Sequence, residues 1–117
     1  MKELTEKQIE NAILDYLSYL PGVYWRNNSV GIYDSAKKVY RKPSKYHRNG
    51  TSDILGCYFG KLVAIEVKTK KGRLSSNQKA FLEDINKNGG IGFVARSVDD
   101  VRKELYQQNR RASRLAY

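Results

Sequence analysis

Residues 53 to 68 read Asp53-Ile54-Leu55-Gly56-Cys57-Tyr58-Phe59-Gly60-Lys61-Leu62-Val63-Ala64-Ile65-Glu66-Val67-Lys68. Leu62 to Lys68 has the pattern of a central strand, apolar on both faces for four residues. Asp53 to Phe59 reads as a second strand with a glycine inside it, and Gly60-Lys61 as the tight turn between them, so the two should pair as an antiparallel hairpin. Folding there brings Asp53 beside the Glu66–Lys68 end. Side chains two apart on a strand leave the same face, so Glu66 and Lys68 point one way and Val67 the other. Charges at the end of an otherwise apolar strand need a partner, a metal or water.

Upstream, Thr5 with Gln8 three residues later is a capping-box signature. Ile9, Ala12, Ile13, Tyr16, Leu17 and Leu20 follow at helical spacing, with Glu10 at the edge of the stripe, and Pro21-Gly22 stops the helix. Val23 to Arg26 is strand-like, bounded by Gly22 and Asn27-Asn28. Val30 to Tyr33 either extends that strand or begins another. Ser35 to Ser52 contains no acidic residue and reads as an exposed, mobile basic loop or hairpin. Downstream, Lys70, Lys71, Gly72 and Arg73 make a basic turn. Ser75 with Gln78 is a second capping box, and Phe81, Leu82 and Ile85 share a helical face. Asn88-Gly89-Gly90 ends that helix, Ile91 to Ala95 is a strand, and Ser97 caps a last helix. That helix should pack on the sheet through residue 105, with residues 106–117 either a frayed basic tail or a helical extension carrying Arg110, Arg111 and Arg114. Cys57, in mid-strand, reads as a small core residue.

The expected fold is α/β, a mixed sheet flanked by helices on both faces. The strand–helix–strand unit requires a parallel pair joined by a crossover. The 117 residues have room for one domain, with a core over about residues 5–105. Composition narrows the function. Lys and Arg number 22 against 12 Asp and Glu, a net charge of +10 with a pI near 9.8, which points to a polyanionic partner such as nucleic acid. One cysteine and one histidine, His47, exclude an internal disulfide and a Cys-based zinc site, and supply a Ser-His-Asp triad poorly. His47 reads as a phosphate or surface contact. No apolar run approaches the ~20 residues of a membrane span, and the N-terminus lacks a secretion signal's apolar segment. A soluble, intracellular protein is expected.

Two carboxylates and an ammonium in one small volume suit Mg²⁺, which prefers oxygen and takes one or two protein carboxylates alongside phosphate oxygens. Such a cation polarises a phosphodiester and steadies the leaving oxygen, while a lysine orients the attacking water or offsets developing charge. Asp53 followed by Glu66-Val67-Lys68 resembles the Asp…Glu-x-Lys core of the PD-(D/E)xK nuclease superfamily. Three stretches resemble one branch of it, the VRR-NUC (virus-type replication-repair nuclease) domain. They are Gly50-Thr51-Ser52-Asp53-Ile54, Ala64-Ile65-Glu66-Val67-Lys68, and Leu74-Ser75-Ser76-Asn77-Gln78-Lys79-Ala80-Phe81-Leu82, with Glu10 at an acidic position common in the branch. The superfamily's proline before the first Asp is Ser52 here.

The resemblance implies a restriction-endonuclease-like αβββαβ core spanning residues 5 to 96. It implies Asp53, Glu66 and the Val67 carbonyl as metal ligands, with Mg²⁺ as the cofactor and Mn²⁺ as a substitute. Lys68 becomes the catalytic lysine, Glu10 an outer or second-metal ligand, and Gln78 a site residue. It further implies a viral or phage nuclease of replication and repair that cuts branched DNA, such as Holliday junctions, as a homodimer. Phosphate contacts are expected from Lys37, Lys38, Arg41, Lys42, Lys45 and Arg48 of the basic segment, and from Lys70, Lys71 and Arg73. The alternative reading of the charge is a non-catalytic nucleic-acid-binding module.

Overall fold

A computed structural model of the chain describes residues 3–27, 33–40 and 44–115. The expected phosphate contacts Arg41 and Lys42 lie outside the described residues, as do residues 30–32 of the possible early strand. The elements in chain order are α1 (Glu6–Leu17), β1 (Val23–Arg26), β2 (Tyr33–Asp34), β3 (Val39–Tyr40), β4 (Ile54–Tyr58), β5 (Lys61–Val67), α2 (Ser76–Lys87), β6 (Ile91–Ala95) and α3 (Val98–Leu115). Four strands form one mixed sheet in the order β1-β4-β5-β6, and β2 and β3 pair as a separate hairpin. The long apolar strand is therefore internal, antiparallel to β4 and parallel to β6. Among the described residues no helix is long and apolar enough to cross a membrane.

One face of the sheet packs against α1 and α3. Ile54, Val63, Ile65, Val67, Ile91 and Ala95 meet Ile9, Ile13 and Leu17 of α1 and Val101 and Leu105 of α3 in a single cluster. Burying an aliphatic side chain of this size is worth ~1.5–3 kcal/mol, and five of these sheet residues are at most 1% exposed. This face holds the strands that carry the charged groups. The opposite face is covered less fully. Phe81 and Leu82 of α2 seat on Ala64, with Leu55 and Val94 packed alongside.

Two expectations need correction. The hairpin turn lies one residue earlier than the sequence suggested: Tyr58 pairs with Lys61, leaving Phe59 and Gly60, both at positive φ (47° and 81°). Two left-handed residues suit a two-residue turn between twisted strands, and Gly60 takes that conformation without steric cost. Cys57 is exposed rather than buried. It pairs with Val23 and Leu62, both themselves exposed, on the sheet side that α2 leaves open. Of the two alternatives for the chain after residue 105, the helical extension holds through Leu115, where residues 106–115 contain neither Gly nor Pro and include several strong helix formers. In the basic segment, the loop-or-hairpin alternative resolves to a hairpin over residues 33–40.

Candidate functional site

The corrected turn sets the register. Ile54 lies opposite Ile65, so the next facing couple along the hairpin is Asp53 and Glu66. Within the Glu66–Lys68 end, an acid is thereby aimed at an acid. Asp53 is fastened from both sides. Its carbonyl accepts from Asn27 N at 2.7 Å, while its carboxylate Oδ2 accepts from Val67 N at 2.8 Å. Asn27 also donates its amide to the Ser52 carbonyl and to Thr51 Oγ1, each at 3.1 Å. In the sequence Asn27 marks only a strand boundary, because a long-range bond to carbonyls leaves no local pattern to find. Ser52, in the place of the superfamily's proline, is buried, and its hydroxyl has no partner among the described residues.

Glu66 is 2% exposed. Its Oε1 accepts from Gln78 Nε2 at 2.9 Å and lies 3.9 Å from Lys68 Nζ. Its Oε2 is buried with no hydrogen-bond partner. Burial and the neighbouring Asp53 carboxylate push the Glu66 carboxyl up to about 8, with Lys68 pulling the other way. An unpaired buried carboxylate oxygen costs free energy, and protonation relieves that cost when no cation is present. The donor set suits a hard divalent cation: two facing carboxylates, one with an uncommitted oxygen.

Gln78 reaches Glu66 from the first turn of α2. Its backbone N donates to Ser75 Oγ and its Oε1 accepts from Ser75 N, completing the cap. One side chain thus closes the cap and also bonds Glu66. The helix start is itself held by the strand approach. Gly50 has φ +79°, and a Cβ there would stand 2.4 Å from the Asn77 carbonyl carbon, so only glycine lets the 48–52 segment touch α2. Arg48 fastens the same contact, pairing with Asp84 at 2.7 Å and lying over the Phe81 ring at 5.5 Å.

Glu10 does not join the acidic pair. Arg26 Nε donates to it at 2.9 Å, and Arg26 also bonds the Asn11 side chain. Among the described residues no group of three or more His, Cys, Asp or Glu side chains gathers. Of the expected phosphate contacts, Lys37 and Lys38 lie exposed between β2 and β3, and Lys70, Lys71 and Arg73 are exposed after β5. Lys45 sits 5.0 Å from the centre of the exposed Tyr46 ring. His47 is also exposed.

A mixed sheet whose central hairpin opposes Asp and Glu, with Lys two residues beyond the Glu and a helix behind them, defines the class of PD-(D/E)xK-type nuclease folds. Residues 4–99 match the VRR-NUC domain, and the chain belongs to that family. It is similar to a solved "VRR_NUC domain protein" with a TM-score of 0.64 at 17% identity, over 91% of this chain and 88% of that one. It is also 27% identical over 103 residues to a protein of Mycoplasmopsis pulmonis (strain UAB CTIP) named Holliday junction resolvase RecU. That alignment takes in 79% of this chain and 64% of the relative's length.

Proposed function

We propose that the chain is a divalent-metal-dependent endonuclease that hydrolyses phosphodiester bonds in branched DNA, Holliday junctions among them. The observation that carries this reading is the opposition of Asp53 to Glu66, with one Glu66 oxygen buried and unpartnered. Asp53, Glu66 and the Val67 carbonyl would hold Mg²⁺ or Mn²⁺. When bound, such an ion polarises the phosphodiester and neutralises the charge building on its oxygens. The chain's own groups do the rest. Gln78 holds Glu66 by one oxygen and leaves the other free. Lys68, anchored 3.9 Å from Glu66, orients the attacking water and offsets negative charge at the reacting phosphorus. Glu10 acts at the rim, keeping Arg26 at the end of β1. Lys37, Lys38, Arg41, Lys42, Lys45, Lys70, Lys71 and Arg73 grip flanking phosphates, in the virus- or phage-infected cell this family would serve.

The resolvase relative supports the branched substrate. A four-way junction has two-fold symmetry, which a symmetric homodimer would match by cutting both strands. The test is cleavage of a labelled four-way junction in Mg²⁺ against EDTA. Asp53→Ala and Glu66→Ala should each lower cleavage by about three orders of magnitude. Unchanged cleavage in either variant removes the assignment. Tight, salt-dependent binding without products in Mg²⁺ would establish a non-catalytic binding module instead.

A further inference from the structure

Arg96 follows the last residue of β6, and none of the expected phosphate contacts includes it. Ala95 pairs with Val67 across the parallel ladder, and Lys68 N donates to the Ala95 carbonyl at 3.1 Å. Arg96 and Lys68 are therefore neighbours one step beyond the ladder, about 4.8 Å apart as strands lie. Alternation places Arg96 on the side of Val94, and Val94 is the partner of Glu66. Arg96 thus leaves the same sheet face as Glu66 and Lys68.

Its guanidinium is already half engaged. Nη1 donates to the carbonyls of Thr69 and Gly72 (2.7 Å for the latter) and lies 3.4 Å from that of Lys70. Those carbonyls belong to the turn that carries Lys70, Lys71 and Arg73. The turn in turn touches Lys68: a Cβ on Gly72 would stand 3.4 Å from Lys68 Cδ. A guanidinium has five N–H donors in a planar fork. Nη1 accounts for two. The three on Nε and Nη2 have no partner among the described residues, and Arg96 is exposed.

We infer that Arg96 is a phosphate-binding residue, its free edge taking a backbone phosphodiester that flanks the one being cut. This deepens the nuclease reading and rests on it. Three backbone carbonyls fix the plane of the fork, so little freedom is lost on binding, and the edge left open suits two phosphate oxygens at once. The same clasp holds the basic turn against the stem of Lys68.

The test uses the whole chain and a fluorescent four-way DNA junction, with binding read in EDTA across a salt series so that no turnover intervenes. Arg96→Gln keeps an amide for the turn carbonyls and loses the charge. It should weaken binding about tenfold at low salt, with the slope of log K against log salt shallower by about 0.9, the value for one lost phosphate contact. Arg96→Lys should recover the slope but only part of the affinity. A purely structural role would lower the melting temperature of Arg96→Gln and leave the slope unchanged, and that result overturns the inference. Failure of the unmutated chain to bind any DNA overturns this inference and the nuclease reading together. Binding with the expected Arg96 dependence, but no cleavage in Mg²⁺, overturns the nuclease reading alone.

Discussion

Helices α1 and α2 begin with the same device and do different work with it. In α1, Gln8 Oε1 accepts from Thr5 N at 2.9 Å and Thr5 Oγ1 accepts from Gln8 N at 3.2 Å. In α2, Gln78 and Ser75 repeat the arrangement at 2.9 and 3.1 Å. At Gln8 the glutamine does nothing further that the structure shows. At Gln78 the amide nitrogen spared by the cap donates to Glu66. Both motifs settle where a helix starts. Only the second stands over the end of the central hairpin, and that placement turns a local start signal into support for the buried Glu66 carboxylate. The cap also decides which end of the carboxamide Glu66 meets: Ser75 N claims the oxygen, so the NH₂ faces the carboxylate.

Exchanging Gln for Glu in both caps should separate them most sharply. A capping box accepts either residue. Gln8→Glu should therefore leave junction cleavage unchanged. Gln78→Glu keeps the helix start but sets a carboxylate against Glu66, and cleavage should fall by about 100-fold, the upper range for loss of a metal ligand's hydrogen-bonding partner. Equal cleavage in the two variants would erase the distinction.

The pH dependence of the metal-free protein comes next in size. The Glu66 carboxyl is raised from 4.5 to about 8, so the folded state holds a proton that the unfolded chain has released. The stability this proton brings is complete below pH 4.5 and is lost as pH climbs to about 8. Melting temperatures in EDTA should fall across that window, and Glu66→Gln should flatten the fall. Added Mg²⁺ should raise the melting temperature more at pH 8 than at pH 6, because binding must displace the proton.

The smallest effect is on the caps themselves. Thr5→Ala and Ser75→Ala should each cost about 1 kcal/mol in denaturant melts. Only Ser75→Ala should also slow cleavage, by about tenfold, because Gln78 loses its anchor. Slowing of cleavage by Thr5→Ala would show that the α1 start acts on the site beyond the electrostatic influence of Glu6 on Glu66.

What could be read in the sequence follows how local each interaction is. Both caps, the hairpin strands and the parallel return through α2 are written in spacings of a few residues, and they form as expected. The turn was misplaced by one residue because an aromatic side chain seldom takes positive φ, yet Phe59 does so here at 47°. That single step sets Asp53 directly opposite Glu66 within the Glu66–Lys68 end. Cys57 was misjudged because alternation along β4 tells which residues share a face, not which face a helix covers. Asn27 and Arg96 could not be anticipated: each binds backbone carbonyls far away in the chain, and a carbonyl is the same in every residue. The acidic pair was legible because two charged residue types stood where an apolar pattern ended.

The two-residue turn imposes a rule of parity on how this hairpin can change length. Asp53 and Glu66 face one another only while the two arms count the same number of residues from Phe59-Gly60. One residue added to a single arm would rotate Asp53 to the α1 and α3 side, where its charge would lie among Ile13 and Ile65. Lengthening that preserves both the facing couple and its side must add two residues to each arm. In chains that keep this turn, the interval between the aspartate and the glutamate should therefore grow or shrink in steps of four, a spacing rule enforced by pleat geometry rather than by the chemistry of the two carboxylates.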